Sequence, residues 1–412
     1  MDTKELPARP SLEQYKKQAK DLLKNVKSGH PQTLQRTLQR IKKDHPRFGN
    51  LAALELQGTK LRLADAQLVI AREHGFESWP KFAKHIEGLI RKSSSVSRFE
   101  SAVDAVVTGD VAKLERLLGE NPELVRERST RLHHATLLHY VGANGVENYR
   151  QKTPKNAVKI AEILLRAGAD VRAAAEIYGG SDTLGLAATS VWPFRAGVQD
   201  ALIDILIEYG AGLHEEGLVN ACLGNGRGQA AEHLAERGAR LDLEGAAGVG
   251  RLDLVKSFFN EDGSLKANAT RSQMECGFGW ACEYGRTNVV KFLLEMGVKV
   301  DAMPRGITGL HWAAYAARAD IVKLLLESKA PVELKDERHR GTPLGWAFHG
   351  WGDPPPGTEP GHYYEVVALL VAAGATVDSA WPADPHHRKR LIEQVRADSR
   401  MVAALKGQIA AQ

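Results

Sequence analysis

The sequence predicts an all-α protein in which helix-turn-helix repeats stack into a solenoid. Similar segments recur along the chain, and each closes on a Gly-Ala turn or a related one, at intervals of 42, 28, 59, 32 and 45 residues. The segments carry apolar stripes at helical spacing, such as Ile321, Leu324 and Leu325. One helix pair cannot cover its own stripe, so neighbouring pairs have to bury each other's apolar faces. The turns that set this phase are Gly168-Ala169, Gly210-Ala211, Gly238-Ala239, Gly297-Val298, Lys329-Ala330 and Gly374-Ala375.

The clearest repeat begins at residues 306–314 with Gly-Ile-Thr-Gly-Leu-His-Trp-Ala-Ala and continues through the Leu-rich residues 320–326. A later copy begins Gly-Thr-Pro-Leu at residues 341–344 and closes on Ala373-Gly374-Ala375. These segments resemble the ankyrin repeat, whose signature is a Thr-Pro-Leu-His-x-Ala opening, a second Leu-rich helix and a Gly-Ala turn. The resemblance implies an ankyrin-repeat solenoid whose first helices line a concave face.

Two weaker copies complete the array. Residues 246–259 split the interval of 59 into two lengths near the ~33 expected for the family, and an upstream copy covers residues 99–122. We therefore expect about eight repeats between residues 98 and 381.

Residues 1–97 form a separate basic module. They contain 19 Lys and Arg against 10 Asp and Glu, a balance of +9, so the other 315 residues sum to −4 within the whole-chain charge of +5. A first helix is predicted from Ser11 to Lys27, with a stop at Ser28-Gly29-His30-Pro31. Its apolar stripe contains Tyr15, Ala19, Leu22, Leu23 and Val26. The later Leu-Ala-Asp-Ala-Gln, His-Gly-Phe and Ser-Trp-Pro segments resemble a short helical module that precedes bacterial ankyrin arrays and has no established activity.

Residues 382–412 are predicted to cap the last repeat. Trp381-Pro382-Ala383-Asp384-Pro385 breaks the repeat pattern, and residues 386–405 favour one or two helices with an apolar inner face. The basic run at residues 386–390 is interpreted as solvated helix charge.

Composition favours a soluble cytoplasmic protein. No segment approaches ~18 consecutive apolar residues, and the first residues do not form a signal peptide. Cys222, Cys276 and Cys282 lack metal-ligand spacing, and Cys222 and Cys282 occupy a small-residue packing position of their repeats. We expect no cofactor and no metal.

Three repeats carry extra residues between their two helices, at 144–156, 190–197 and 350–362. Equivalent positions within a repeat predict that the insertions emerge on the same edge of the stack. Long loops with aromatic residues on a rigid scaffold often serve recognition, although such aromatics also pack back onto the scaffold. The candidate contacts in these loops are Trp192, Phe194 and Trp351.

Large aromatic residues also recur on the first helices. In the predicted stack they form a strip suited to a peptide or helix. The candidates are Trp280, Tyr284, Trp312, Tyr315, Trp346 and His349. His139 and His311 stand at the family's His position, so they are interpreted as structural hydrogen-bonding residues.

The sequence therefore predicts a non-catalytic scaffold that binds a protein or peptide through its first helices and inserted loops. It does not identify the partner or the oligomeric state. Two alternatives remain open. The basic module, with Tyr15, Phe48, Phe76 and Trp79 among its charges, is the candidate for nucleic-acid binding. The residues His349, His362, Tyr363 and Glu365 around the third insertion are the candidates for an enzyme or metal site.

Overall fold

The computed structural model describes residues 3–26, 30–51, 59, 61–91, 93–359, 361–377 and 384–408. Helix accounts for 59% of the chain and the described residues form no β-strand, which confirms the all-α class. Two isolated β-bridges, Ala175 with Ser181 and Phe259 with Leu265, are the extended pairings in these ranges. The chain divides into two compact units, an N-terminal unit Met1–Gly212 and a C-terminal unit Leu213–Gln412.

The N-terminal unit begins with the basic module. The α-helices of the whole unit are Leu12–Val26, Pro31–Asp44, Leu63–Glu73, Trp79–Ile90, Ser95–Thr108, Val111–Glu120, Ala157–Arg166, Thr183–Thr189, Val191–Arg195 and Gln199–Glu208. The 3-10 helices of the unit are Pro122–Val125, Leu138–Gly142 and Asn148–Arg150.

The first helix buries the stripe that the sequence predicts. Tyr15, Ala19 and Leu22 are buried, and Leu23 and Val26 are half-buried against the same core. The predicted stop at Ser28-Gly29 and the last predicted helical residue, Lys27, lie outside the described residues. The core of the module also contains Leu38, Ile41, Phe48, Ala66, Val69, Ile70, Ala71, Phe76, Phe82 and Ile86.

A buried network of charges holds the long, helix-poor segment that follows Val111–Glu120. Arg131 pairs with Glu100 at 2.5 Å and with Glu147 at 2.8 Å, and the Arg131 side chain is 2% exposed. Arg150 pairs with the other Glu100 oxygen at 2.6 Å and with Asp104 at 2.8 Å. Although burial by itself raises the pKa of the Glu100 carboxyl, Arg131 and Arg150 lower it to about 2. The network therefore joins helix Ser95–Thr108 to the first insertion, residues 144–156.

Arg131 also touches the basic module. Its guanidinium carbon lies 5.4 Å from the centre of the Phe76 ring, and the next residue, Leu132, donates its backbone N–H to Gly75 at 2.8 Å. His85 and Thr130 are joined side chain to side chain at 2.8 Å. The module and the first repeats are thus connected within one unit by a specific set of polar contacts.

We expect Arg131→Met to destabilise the N-terminal unit by about 3–5 kcal/mol, because it removes one of the two cations that the buried Glu100 and Glu147 carboxylates share. Chemical denaturation followed by circular dichroism measures the effect. Lys159→Met is the matched control, since Lys159 is 52% exposed and pairs only with Glu162, and it should change the free energy by less than about 0.5 kcal/mol. Equal effects of the two substitutions would contradict this role for Arg131.

The described residues of the C-terminal unit form five helix pairs followed by two further helices. The first helices of the pairs are Leu218–Gly224, Leu243–Gly248, Arg271–Glu283, Gly309–Tyr315 and Pro343–Gly352. The second helices are Gly228–Glu236, Leu252–Ser257, Thr287–Glu295, Ala319–Glu327 and His362–Ala372. The two further helices are Pro385–Ala397 and Ser399–Ala404.

Consecutive first helices of this unit pack side by side. Small residues make the approach close: a Cβ atom added at Gly277 would lie 2.8 Å from the Ala247 Cβ atom. Cys222 and Cys282 are buried, as predicted for packing positions. The last two helices close the stack, with Leu391, Val395 and Met401 buried in the same core. The predicted break at Trp381, Pro382 and Ala383 lies outside the described residues.

The turns that end the second helices Thr287–Glu295, Ala319–Glu327 and His362–Ala372 have left-handed backbone geometry. Gly297 has φ +83° and Gly374 has φ +98°, and Lys329 takes φ +68° at the corresponding place. Glycine adopts this region without steric cost, whereas a Cβ atom is disfavoured there. The array therefore carries a small strain at Lys329.

Lys329→Gly is expected to stabilise the C-terminal unit by about 0.5–1 kcal/mol, because it removes that strain. The reciprocal substitution Gly297→Lys is the control and should destabilise by a similar amount. Melting temperatures of the two variants and the parent protein measure both effects. A lower melting temperature for Lys329→Gly would show that contacts of the lysine side chain stabilise the unit by more than its left-handed backbone destabilises it.

Candidate functional site

A strip of contacting aromatic rings runs across three consecutive first helices of the C-terminal unit. Trp280, Trp312 and Trp346 occupy the same position of successive repeats, directly before the small residues that pack between helices. Because these helices lie side by side, their rings become neighbours: Trp280 and Trp312 are 5.6 Å apart between ring centres, and Trp312 and Trp346 are 5.3 Å apart. We call Trp280, Trp312, Tyr315, Trp346 and His349 the aromatic strip.

Residues one helical turn later extend the strip. Tyr315 packs edge to face on Trp312 at 6.3 Å and on Trp346 at 5.8 Å. The ring of His349 stacks on Tyr315 at 5.7 Å with an angle of 16° between their planes. Edge-to-face and offset contacts of this kind each contribute about 0.5–1.5 kcal/mol beyond burial. The rings therefore support one another as a unit.

The strip is partly accessible. Trp312, Tyr315 and Trp346 are half-buried and His349 is exposed, whereas Trp280 is only 5% exposed. Trp280 therefore acts as a support at one end, and the other four rings present surface to a partner.

Two carboxylates fix the end indoles. Trp280 donates its indole N–H to Glu244 at 2.8 Å; Arg305 donates to the same oxygen at 2.9 Å and lies 4.9 Å above the Trp280 ring. At the other end, Trp346 donates to Asp336 at 3.1 Å. Sequence reasoning missed Glu244, Arg305 and Asp336, because they belong to other helices or loops and match no motif.

Asp336 is itself held by a tight loop. Its carboxylate accepts the backbone N–H groups of Arg338, His339 and Gly341 at 3.0, 2.6 and 2.7 Å. Burial raises the pKa of Asp336, but these bonds and the Trp346 indole lower it below its usual value. A charged, fully bonded Asp336 therefore fixes the orientation of Trp346 before any partner arrives.

The other predicted contact residues have contacts of their own. The Tyr284 hydroxyl donates to the Leu223 carbonyl at 2.6 Å, so it joins neighbouring repeats. Trp351 is half-buried near the last two helices. In the N-terminal unit, Trp192 is 37% exposed with Arg195 at 5.8 Å from its ring, and Phe194 is half-buried on the same short helix.

The first two insertions behave differently from each other. They start side by side, since Asn144 donates to Thr189 at 3.0 Å and Ser190 donates to the Ala143 carbonyl at 3.2 Å. The first is not a free loop, because Glu147 and Arg150 belong to the buried charge network. The second forms the helix Val191–Arg195 and keeps Trp192 at the surface.

His139 and His311 have the structural role expected from their positions. Each places Nδ1 at 2.7 Å from the hydroxyl of the threonine three residues earlier. His311 also contacts the Gly341 carbonyl through Nε2 at 3.1 Å. Burial lowers the pKa of His139 to about 4. Both histidine rings thus stabilise the start of the first helix of their repeat.

The described ranges, which include His349, His362 and Glu365, hold no group of three or more His, Cys, Asp or Glu side chains arranged to bind a metal ion. None of the described helices is both long enough and apolar enough to cross a bilayer.

The sequence is similar to known ankyrin repeats. The family model for ankyrin repeats (3 copies) matches residues 243–336 and 278–380, which include every helix that carries the strip. Residues 243–380 are thus similar to the ankyrin-repeat family. Members generally serve as protein–protein interaction modules and are typically non-enzymatic.

Solved ankyrin structures are also similar. The human ASB11 ankyrin repeat domain has 20% sequence identity with this chain, and the match covers 67% of this chain and 98% of that domain with a TM-score of 0.35. No curated protein matches the sequence.

Glu283 is a buried carboxyl at the end of the helix that carries Trp280. It is 7% exposed, and its Oε2 atom has no hydrogen-bond partner in the part of the chain that the structure describes. Arg318 donates to the Glu283 backbone carbonyl at 2.9 Å. Burial raises the pKa of the Glu283 carboxyl to about 8, against a smaller opposing effect of Arg318. The folded protein therefore holds a proton here that an unfolded chain releases near pH 4.5.

Glu283→Gln should stabilise the protein at high pH. Because the pKa is raised in the folded state, stability is lost as pH rises from about 4.5 through about 8, and glutamine removes that loss. We expect a gain of roughly 2–4 kcal/mol near pH 9 and little change near pH 5. Unfolding curves at the two pH values measure it, and a gain independent of pH would contradict an ionisation effect.

Proposed function

We propose that the chain is a non-catalytic scaffold whose aromatic strip binds a protein or peptide partner. The observation that carries the proposal is the set of four accessible rings, Trp312, Tyr315, Trp346 and His349, held in mutual contact on one face of the first helices. Aromatic side chains with part of their surface exposed are the residues that most often dominate protein interfaces. The general role of ankyrin repeats in protein binding supports the same proposal.

The mechanism is preorganisation. Asp336 and Glu244 fix the indoles at the two ends, and edge-to-face contacts fix the rings between them. A partner that packs on the strip therefore orders few side chains on binding, and less of the contact energy is lost to conformational entropy.

Trp192 and Phe194 are proposed as a further contact on the N-terminal unit. Trp192 is the large aromatic of the second insertion that remains exposed, and it stands on a short helix rather than on an unstructured loop. A cytoplasmic location fits the three free cysteines, since disulfides are rare in reducing compartments.

The structure weakens the nucleic-acid alternative. Tyr15, Phe48 and Phe76 are core residues of the basic module, each at most 3% exposed, so they are unavailable for stacking on bases. Lys17, Lys20 and Lys24 do form an exposed row on the first helix. The fourth candidate ring, Trp79, is half-buried against the same core, so the lysine row has the character of a solvated helix face.

Trp312→Ala combined with Trp346→Ala should lower partner capture from a native lysate by about tenfold or more, because hot-spot aromatics each contribute about 2 kcal/mol or more. Helicity should be retained, with a moderate loss of stability since both rings are half-buried. Affinity capture followed by identification of the retained molecules measures binding, and circular dichroism measures folding.

Tyr209→Ala is the control, since Tyr209 is a 40% exposed aromatic of the other unit. Trp346→Phe provides a milder variant that keeps an aromatic ring and loses only the bond to Asp336. Undiminished capture by the double variant would contradict the proposal. Enrichment of nucleic acid that the double variant also retains would favour the alternative.

A further inference from the structure

A second surface lies where the third insertion meets the last two helices of the C-terminal unit. Here a cleft of about 590 Å³ is lined by Trp351, Gln394, Asp398 and Arg400, together with small neighbouring residues. Trp351 is half-buried and Arg400 is exposed. The cleft thus combines an apolar ring with polar and charged side chains, and it is separate from the aromatic strip.

The polar groups of the cleft are already ordered. Tyr364 donates its hydroxyl to Asp398 at 2.8 Å, and the other Asp398 oxygen accepts the Met401 backbone N–H at 3.0 Å. The Trp351 side chain lies near the Tyr364 hydroxyl. The Arg400 guanidinium carbon lies 4.2 Å from the centre of the Tyr364 ring. Arginine held over a ring keeps N–H donors for an anion.

The last two helices, which supply one side of the cleft, carry an excess of positive charge. Residues 384–408 contain six Lys and Arg against three Asp and Glu. Arg388, Lys389, Arg390 and Arg396 are exposed on helix Pro385–Ala397, and within the described ranges no carboxylate forms an ion pair with any of them or with Arg400. Unpaired cations around a cleft attract a negatively charged partner.

We propose that this cleft docks an acidic peptide segment of a partner protein. Carboxylates of the peptide pair with Arg400 and with the cations of helix Pro385–Ala397, and an apolar side chain packs on Trp351. Gln394 and Asp398 favour a peptide over a nucleic-acid backbone, because their oxygens can accept peptide N–H groups, which a phosphodiester backbone lacks. The proposal does not depend on the aromatic strip.

The test uses the full chain and a fluorescein-labelled peptide in which glutamates surround one phenylalanine, titrated by fluorescence anisotropy at low salt. We expect saturable binding that weakens as salt is added. Lys389→Glu combined with Arg390→Glu should weaken binding by about tenfold or more. Lys291→Glu, a charge reversal at an exposed position of another helix, should leave the affinity unchanged.

Further probes separate the parts of the proposal. The same peptide with glutamines in place of glutamates should bind much more weakly, and Trp351→Ala should remove the advantage of the phenylalanine. The Trp312→Ala and Trp346→Ala double variant should bind the peptide normally, so failure of the strip and failure of the cleft are distinguishable.

Three results would overturn the proposal: no binding of the acidic peptide at low salt, equal binding by the Lys389→Glu and Arg390→Glu variant, or tighter binding of single-stranded DNA of similar length. The last would assign the surface to phosphates. Circular dichroism of every variant excludes loss of folding as the cause of weaker binding.

Discussion

The structure depends on the mutual burial of apolar faces by successive helix pairs. In the C-terminal unit each first helix is flanked by its neighbours, and Ala281, Cys282, Ala313 and Ala314 are buried at the contact. Small side chains there let the backbones approach, and the larger residue that precedes them is directed to the edge of the contact. The same packing rule that builds the core thus brings Trp280, Trp312 and Trp346 into one row.

In the N-terminal unit, buried ion pairs stabilise a segment that would elsewhere be held by apolar packing. The segment between Val111–Glu120 and Ala157–Arg166 contains only short 3-10 helices, so it has few regular faces to bury. Glu100, Arg131, Glu147 and Arg150 fill this space with ion pairs. Such a network is costly to desolvate, and it specifies one geometry because each member needs the others. It accordingly defines how the basic module adjoins the first repeats.

The repeat phase, the all-α class and the burial of Cys222, Cys282 and the Tyr15 stripe followed from the sequence, because periodicity and small-residue positions are local signals. The charge network did not. Arg131 is 31 residues from Glu100 and belongs to a residue type that is usually exposed, so no local pattern marks it. The same limit applied to the site: equivalent repeat positions indicated the aromatic row, but Glu244 and Asp336 reach it from neighbouring elements.

The aromatic strip is both a packing element and an exposed surface, and these two properties have a common origin. Trp312 packs against the core and contacts the rings of Trp280, Tyr315 and Trp346, which limits how far these rings can move, and the bonds from Trp280 and Trp346 to carboxylates fix the orientation of the two indoles. A fully exposed ring would lose more conformational freedom on binding, and a fully buried one would offer no contact. Half-burial on a repeat scaffold therefore provides a surface that is ordered in the free protein. For the same reason, substitutions at Trp312 and Trp346 change the stability of the protein as well as its binding.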